Sequence, residues 1–426
     1  MTVAAAPRLR SRPPATRSAS ASPETVHRLV RWSFYLFVAS IPFEYPGRSI
    51  PLEITTITGC IFLIATGLQL GRCFGRAPSP MWAFMVFLYG FWVAFAMGGA
   101  AYPDEALKSF ATLLQLVLIF WAAYNLLRDE RVATEALIVY ALAATAIAAL
   151  TVVSSHNPDL AAARASGRVA MLEQNANRAG LVLACGAITL VGLVYSRPRP
   201  VFKHRFLVWP LLVIIVAAEL KGSSRGSLLA LTVGLWTFTI SAPSLYTKIR
   251  NSFAVFFAFV LLTSAVYYTP LLRSRFERAE EGNLAGRQII FPTAAGMFLE
   301  KPFFGWGPNQ NKYELAYRLP GQEWDRRDTH NLILEVVTSV GMLGAIPFAL
   351  GTGLCIWGAW RARRGVYGTL PFALTAAVMS ANMSSNYIAF KLHWLVLAYA
   401  AAAGSLVAQR STAARRQLRF AQTPPY

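Results

Sequence analysis

Residues 132–153 read VATEALIVYALAATAIAALTVV, a run whose only ionisable acid or base is Glu135, close to its start. As a helix rising about 1.5 Å per residue, it is long enough to cross a hydrocarbon core roughly 30 Å thick. The run is not isolated. Working outward from it, twelve apolar stretches are read, near 30–46, 52–71, 81–99, 106–127, 132–153, 178–196, 206–220, 225–243, 251–270, 330–360, 368–386 and 389–408. The seventh is short and the tenth long. Segments of about ten residues with strict alternation are not found, which argues against a transmembrane barrel. The expected fold is an all-α polytopic membrane protein of about 12 transmembrane helices, with one large periplasmic loop containing helices. Its divisions are 1–28 as a disordered basic tail, 29–270 as nine spans, 271–329 as the loop, 330–408 as three spans, and 409–426 as a second tail.

Composition agrees with this reading. The 426 residues are 55% hydrophobic and only 14% charged, yet the net charge is +20. That excess is not a nucleic-acid footprint, because it lies in alternate connections. Arg8 to Arg31, Arg72 and Arg76, Arg128 and Arg131, Arg197 to Arg205, Lys248 and Arg250, Arg361 to Arg364, and Arg410 to Arg419 hold 23 of the 40 basic residues. Only four acids accompany them, Glu24, Asp129, Glu130 and Glu135. The bias is that of cytoplasmic loops and places both termini of an inner-membrane protein in the cytoplasm. Residues 1–26 lack an apolar core and do not read as a cleavable signal. Cys60, Cys73, Cys185 and Cys355 show no metal spacing and argue against a disulfide framework.

With this topology two outward connections are long, 154–177 and 271–329. Sixty residues without structure would be unusual between spans, so the second is expected to be partly helical and functional. Within Leu284–Glu300, Ile289, Ile290, Ala294, Met297 and Phe298 fall at helical spacing, which predicts an amphipathic surface helix, kinked at Pro292. Glycine and proline punctuate 301–309 as a tight turn system.

Three places on the outward side carry chemistry. Lys221-Gly222-Ser223-Ser224-Arg225-Gly226-Ser227 combines two cations, hydroxyls and small residues at a helix start, a good setting for a phosphate. Interfacial cations over a helix cap explain it equally well. Arg287, after Gly286, offers a bidentate guanidinium to a phosphate, or is an ordinary loop arginine balanced by Glu280 or Glu281. His330 opens the tenth span, where the helix dipole favours a neutral ring suited to a general base. A structural histidine is the alternative. No metal cluster, nucleotide loop or serine elbow is found, so no metal, cofactor or nucleotide is expected.

Ser224-Arg225-Gly226, then Gly286-Arg287, Pro302-x-x-Gly305-x-Gly307 and His330-Asn331, in this order, resemble the O-antigen ligase and polymerase family of bacterial membrane glycosyltransferases. The likeness runs from about Leu220 to Gly344. It implies a GT-C-like helical architecture, an undecaprenyl-pyrophosphate-linked glycan as donor, and, for a ligase, the lipid A–core oligosaccharide as acceptor. It places Arg225 and Arg287 at the pyrophosphate and makes His330 essential. Lys221, Arg178, Arg275 and Asn331 become second candidates for substrate binding, and Glu219 a partner for Arg225 or Lys221. Polymerase and protein O-oligosaccharyltransferase share the donor chemistry. A lipid-linked-sugar transporter or flippase would instead need polar residues at mid-membrane depth and internal repeats.

Overall fold

The computed structural model describes residues 25–44, 53–98, 102–154, 175–195, 205–222, 224–240, 244–268, 273, 277, 286–320 and 326–422. Arg275, Glu280, Glu281, most of the tail at 1–28 and most of the connection at 154–177 lie outside them. Among the described residues the chain is helical, with no strand. The first half comprises α1 (Arg28–Ser40), α2 (Ile54–Thr66), α3 (Leu70–Phe74), α4 (Met81–Gly98), α5 (Pro103–Leu126) and α6 (Glu130–Ser154). The bundle continues with α7 (Ala176–Tyr195), α8 (Val208–Gly222), α9 (Arg225–Ile240) and α10 (Leu245–Tyr268). Two helices of the large loop then precede the last three: α11 (Arg287–Glu300), α12 (Gln310–Arg318), α13 (Leu332–Ala362), α14 (Leu370–Asn382) and α15 (Lys391–Gln422). Each of the twelve apolar runs thus contains helix among its described residues. α15 also carries helix through the stretch expected to be the second tail.

Among the described residues, six helical stretches are long and apolar enough to cross a membrane: Ile54–Phe74, Pro103–Leu126, Glu130–Ser154, Ala176–Val194, Leu332–Ala362 and Lys391–Thr412. Met81–Met97, Arg225–Ile240 and Leu370–Asn382 are shorter apolar helices. Large apolar side chains point outward, among them Ile64, Trp209, Val213, Phe253 and Phe257, as a lipid-facing surface requires. Inside, polar side chains pair across helices: Ser40 Oγ with Thr58 Oγ1 at 2.7 Å, and Tyr140 Oη donating to the Val182 carbonyl at 2.9 Å. α13 crosses α15 backbone to backbone; a Cβ on Gly404 would lie 2.6 Å from the Gly358 Cα. Small residues let helices meet this closely where lipid supplies no hydrophobic drive.

The expected length of the tenth run has a cause. α13 breaks at Gly341 (φ 57°, ψ −166°), so two helices meet there. Segment 302–307 docks into the break. Trp306 N–H donates to the Thr338 carbonyl (2.8 Å) and Gly307 N–H to Ser339 (3.0 Å), while Met342 and Leu343 N–H donate back to Pro302 (2.8 Å) and Phe303 (3.2 Å). The residues read as a turn system are therefore a clasp that inserts the loop into a helix.

α11 differs from expectation in its buried face. The helix runs through Pro292, and its buried stripe is Ile290, Ala294 and Met297, with Ile289 exposed. That stripe packs on Leu315, Trp306, Leu319 and Leu334, so protein rather than lipid covers it. The periodicity was right, but Trp306 and α12 supply the cover. α12 is pinned to the start of α5 by the stacked rings of Tyr102 and Tyr313 (centroids 3.7 Å apart). Hydrogen bonds from Tyr313 Oη to Glu105 (2.9 Å) and from Asn309 Nδ2 to Ser109 Oγ (2.9 Å) complete the attachment.

One buried charge group ties four helices together. Lys391, 3% exposed, sits 2.9 Å from Glu44 Oε1 and 2.7 Å from Glu53 Oε2, and Arg178 approaches Glu44 at 3.7 Å. Lys391 is therefore a buried, paired cation at the start of α15. Removing one partner of a buried pair costs about 3–5 kcal/mol, because the other charge stays behind. Lys391→Met is expected to lower the melting temperature of the detergent-purified protein strongly. Glu44→Gln with Glu53→Gln in the same chain should restore most of it, as followed by thermal denaturation.

Candidate active site

Arg225 is the first residue of α9. Its cap is Ser224, whose Oγ accepts from the Ser227 N–H (3.3 Å) and donates to Asn177 Oδ1 (2.9 Å). Arg287 is the first residue of α11, after Gly286 in the left-handed region (φ 81°). Asn331 caps α13, its Oδ1 accepting from the Ile333 (2.9 Å) and Leu334 (3.1 Å) N–H groups. Three helix N-termini with two guanidiniums and an imidazole beside them are thus defined by three distant stretches of sequence.

They meet at the turn between α14 and α15. Arg287 Nη2 donates to the Ser384 carbonyl at 2.8 Å, and Asn331 Nδ2 donates to the Met383 carbonyl at 3.1 Å. A Cβ on Gly226 would stand 2.6 Å from Ser384 Oγ, and Asn177 Nδ2 reaches Ser385 Oγ at 3.5 Å. Buried Asn382 shapes this turn by donating to the Val378 carbonyl (2.8 Å) and accepting from the Tyr387 N–H (3.1 Å). The turn was hidden inside an apolar run. The signal that could have found it is the polar string Asn382-Met383-Ser384-Ser385-Asn386 between two spans.

The electrostatics fit the convergence. Burial lowers the pKa of Arg287, and the neighbouring Arg225 lowers it further. Burial also pushes His330 below the ordinary histidine range; Asp328 opposes this, while Arg287 and Arg327 add to it. His330 has φ 53° and directly precedes the α13 cap. Two arginines close to three helix N-termini concentrate positive charge there, and burial favours the neutral form of the nearby His330.

A second polar group holds the strap that carries His330. Glu335, 5% exposed on the first turn of α13, accepts from Thr329 Oγ1 (3.0 Å), the Thr329 N–H (3.4 Å) and Asn311 Nδ2 (3.3 Å). Lys312 lies 2.8 Å from Asp328 and 3.8 Å from Glu335. The sequence reading passed over Glu335, whose signal is a lone carboxylate at the mouth of an apolar run.

The second candidates divide. Arg178 stands behind the turn, over the Phe390 ring at 5.0 Å and near Tyr387, which Arg287 also influences. Lys221 is exposed in the last turn of α8. Asn331 spends its carbonyl oxygen on the cap and one amide hydrogen on Met383, a positioning role. Glu219 pairs with neither Arg225 nor Lys221. It is 1% exposed, beside Ser227 and close behind Gly180, because α7 and α9 close over it. His393 is wholly buried, with Nδ1 3.2 Å from Asn382 Nδ2 and its ring stacked on Phe348, and so supports the turn from below. Among the described residues no three His, Cys, Asp or Glu side chains group as metal ligands.

No curated protein matches the chain. Residues 220–349, the stretch that holds Arg225, Arg287 and His330, match the family model described as O-Antigen ligase, which supports the ligase and polymerase family without separating its members.

Proposed function

We propose that this protein is an O-antigen ligase. It moves a polysaccharide from undecaprenyl pyrophosphate to a hydroxyl of the lipid A–core oligosaccharide at the periplasmic face of the inner membrane. The helices cross twelve times, and both termini are cytoplasmic. The observation that supports this reading is that Arg287 and Asn331 donate to carbonyls of one turn, against which the helix start after Arg225 also packs, with His330 next to Asn331.

In this reading Arg225 and Arg287 hold the pyrophosphate and oppose the negative charge that grows on it as it leaves, with no metal required. The acceptor oxygen forms a bond to the anomeric carbon from the side opposite the pyrophosphate. The bond from that carbon to the pyrophosphate oxygen breaks, and its electron pair leaves with undecaprenyl pyrophosphate. The hydroxyl proton passes to His330. Attack from the opposite side inverts the anomeric centre. The donor is already activated, so no nucleotide is consumed. Membrane lipid surrounds the bundle and carries both substrates.

Arg225→Ala and Arg287→Ala are each expected to lower transfer by about 10²–10³-fold in a reconstituted assay, the loss found when one preorganised donor is removed. Full activity of both variants would overturn the assignment. EDTA is expected to leave transfer unchanged; loss restored by Mg²⁺ or Mn²⁺ would sink the metal-free mechanism. The acceptor is decided by a gene deletion. Lipopolysaccharide with core and no O-antigen is the expected phenotype. Core bearing a single repeat would indicate a polymerase, and lost protein glycosylation with normal lipopolysaccharide an O-oligosaccharyltransferase.

A further inference from the structure

The far end of the bundle holds a second concentration of arginines, built differently from the first. α5 is 24 residues long, so its C-terminal end lies about 36 Å from the Tyr102–Tyr313 stack at its start. There Gly71, Arg72, Arg76, Asn125, Arg128, Leu406 and Gln409 enclose a cavity of about 280 Å³. This lies at the lower edge of the roughly 300–1,000 Å³ of small-ligand pockets.

The cavity is held in shape. The Arg76 carbonyl accepts from Trp121 Nε1 and from Asn125 Nδ2, each at 2.9 Å, which stitches the turn after α3 onto α5. Phe74 packs edge-on against the Trp121 ring at 5.3 Å. Arg128 leans over Tyr124 at 5.7 Å, and burial disfavours its charge, as do Arg76 and Arg72 beside it.

Charge balance sets this cavity apart from its surroundings. Nearby Arg131 pairs with Glu135, and Arg410 with Glu130. In the cavity the sole ion pair among the described residues is Arg72 with Asp129, at 3.7 Å. Arg76 and Arg128 have no carboxylate at ion-pair distance among those residues, and Nε of Arg72 and of Arg128 is buried without a hydrogen-bond partner. Three guanidiniums against one carboxylate leave a local excess of two positive charges in a preformed hollow. Beside it, Leu68 in the turn before α3, Leu70 at the start of α3 and Ile64 on α2 are exposed, an apolar surface suited to acyl chains.

We propose that this cavity binds the phosphate headgroup of an anionic membrane phospholipid, whose acyl chains lie along the exposed face of α2 and α3. Basic hollows between spans on the side of positive loops suit such headgroups. Guanidiniums grip phosphate oxygens in paired hydrogen bonds. A freely soluble phosphate would satisfy the arginines but would leave the adjoining apolar face unused.

The test uses the full chain in nanodiscs containing phosphatidylcholine and phosphatidylglycerol in equal amounts, with retained lipid counted by native mass spectrometry. The wild type is expected to retain phosphatidylglycerol over phosphatidylcholine. Arg76→Gln with Arg128→Gln is expected to reduce that retention about tenfold, or about 1.4 kcal/mol. Leu406→Trp, which fills the hollow and keeps every charge, should reduce it similarly. Equal retention by wild type and both variants overturns the proposal. So does an equal loss in a control carrying Arg363→Gln and Arg364→Gln, which removes the same charge outside the cavity. If inorganic phosphate binds the delipidated protein and phosphatidylglycerol does not displace it, the site is one for a soluble anion and the proposal fails. If the double variant does not fold, exposed Arg76→Gln alone carries the measurement.

Discussion

Replacing His330 by alanine or asparagine is expected to cut glycan transfer by about 10²–10⁴-fold, the range that a positioned general base contributes. Asparagine is the sharper substitution. His330 lies in the left-handed region at φ 53°, which asparagine tolerates better than most residues, so the strap is kept while the base is removed. The α13 cap belongs to Asn331 and the strap to Glu335, so neither variant removes a hydrogen bond that holds the site together. A melting temperature near that of the wild type, with transfer lost, is the expected pair of results. Transfer at the wild-type rate in the asparagine variant would end the assignment of His330 as the base.

The acid side of the pH profile gives this role a signature that a structural histidine would not show. A base works in its neutral form, so activity falls as pH drops through the pKa of His330. Burial, Arg287 and Arg327 place that pKa below the ordinary value of about 6.5, with Asp328 opposing. Activity is thus expected to hold at neutral pH and to decline only in more acidic buffer. Arg327→Gln removes a cation, makes the imidazolium easier to form and should move the acid limb to higher pH. Asp328→Asn removes an anion and should move it lower. Shifts in the same direction, or none, would contradict the electrostatics of the site.

How far the sequence reached depends on the range of the signal. Run length and loop charge are local, and every apolar run contains helix among its described residues. Arg225, Arg287 and His330 were legible as candidates because each lies at or just before a helix start, which a neighbouring glycine, serine or loop marks. What joins them was not legible. The turn at 383–385 is polar for only a few residues between two spans, and its carbonyls act as acceptors for Arg287 and Asn331 whatever the side chains are. Glu335 and Lys312 come together only because α12 folds back beneath the strap. Lys391 illustrates a different failure. A lysine at a span end reads as interfacial, and only the arrival of Glu44 and Glu53 from the first two spans makes it buried and paired.

The second large effect is expected at Gly341. Its φ of 57° with ψ of −166° is a combination essentially restricted to glycine, and a non-glycine residue there costs about 1–3 kcal/mol in strain alone. Space is lacking as well. A Cβ would fall 2.3 Å from the Phe303 carbonyl oxygen and 2.6 Å from the Gly305 nitrogen. Both neighbours are backbone, so no side chain can swing aside. Gly341→Ala must therefore open the clasp, forfeiting the four hydrogen bonds between 302–307 and 338–343, each a net contribution of about 1 kcal/mol. The clasp links the loop after α11 to the break in α13, about two turns beyond its start, so opening it loosens Arg287 relative to His330. Displacement of about 1 Å can cost about 10²-fold in rate. We expect transfer to fall by at least that factor, with faster hydrogen exchange confined to 302–307 and 338–343. Gly353→Ala is the control, since it lies in the same helix with nothing within 4 Å of the added carbon. It should leave transfer unchanged and add up to about 1 kcal/mol of helix stability. If Gly341→Ala behaved like Gly353→Ala, the clasp would not be what holds the two halves of the site in register.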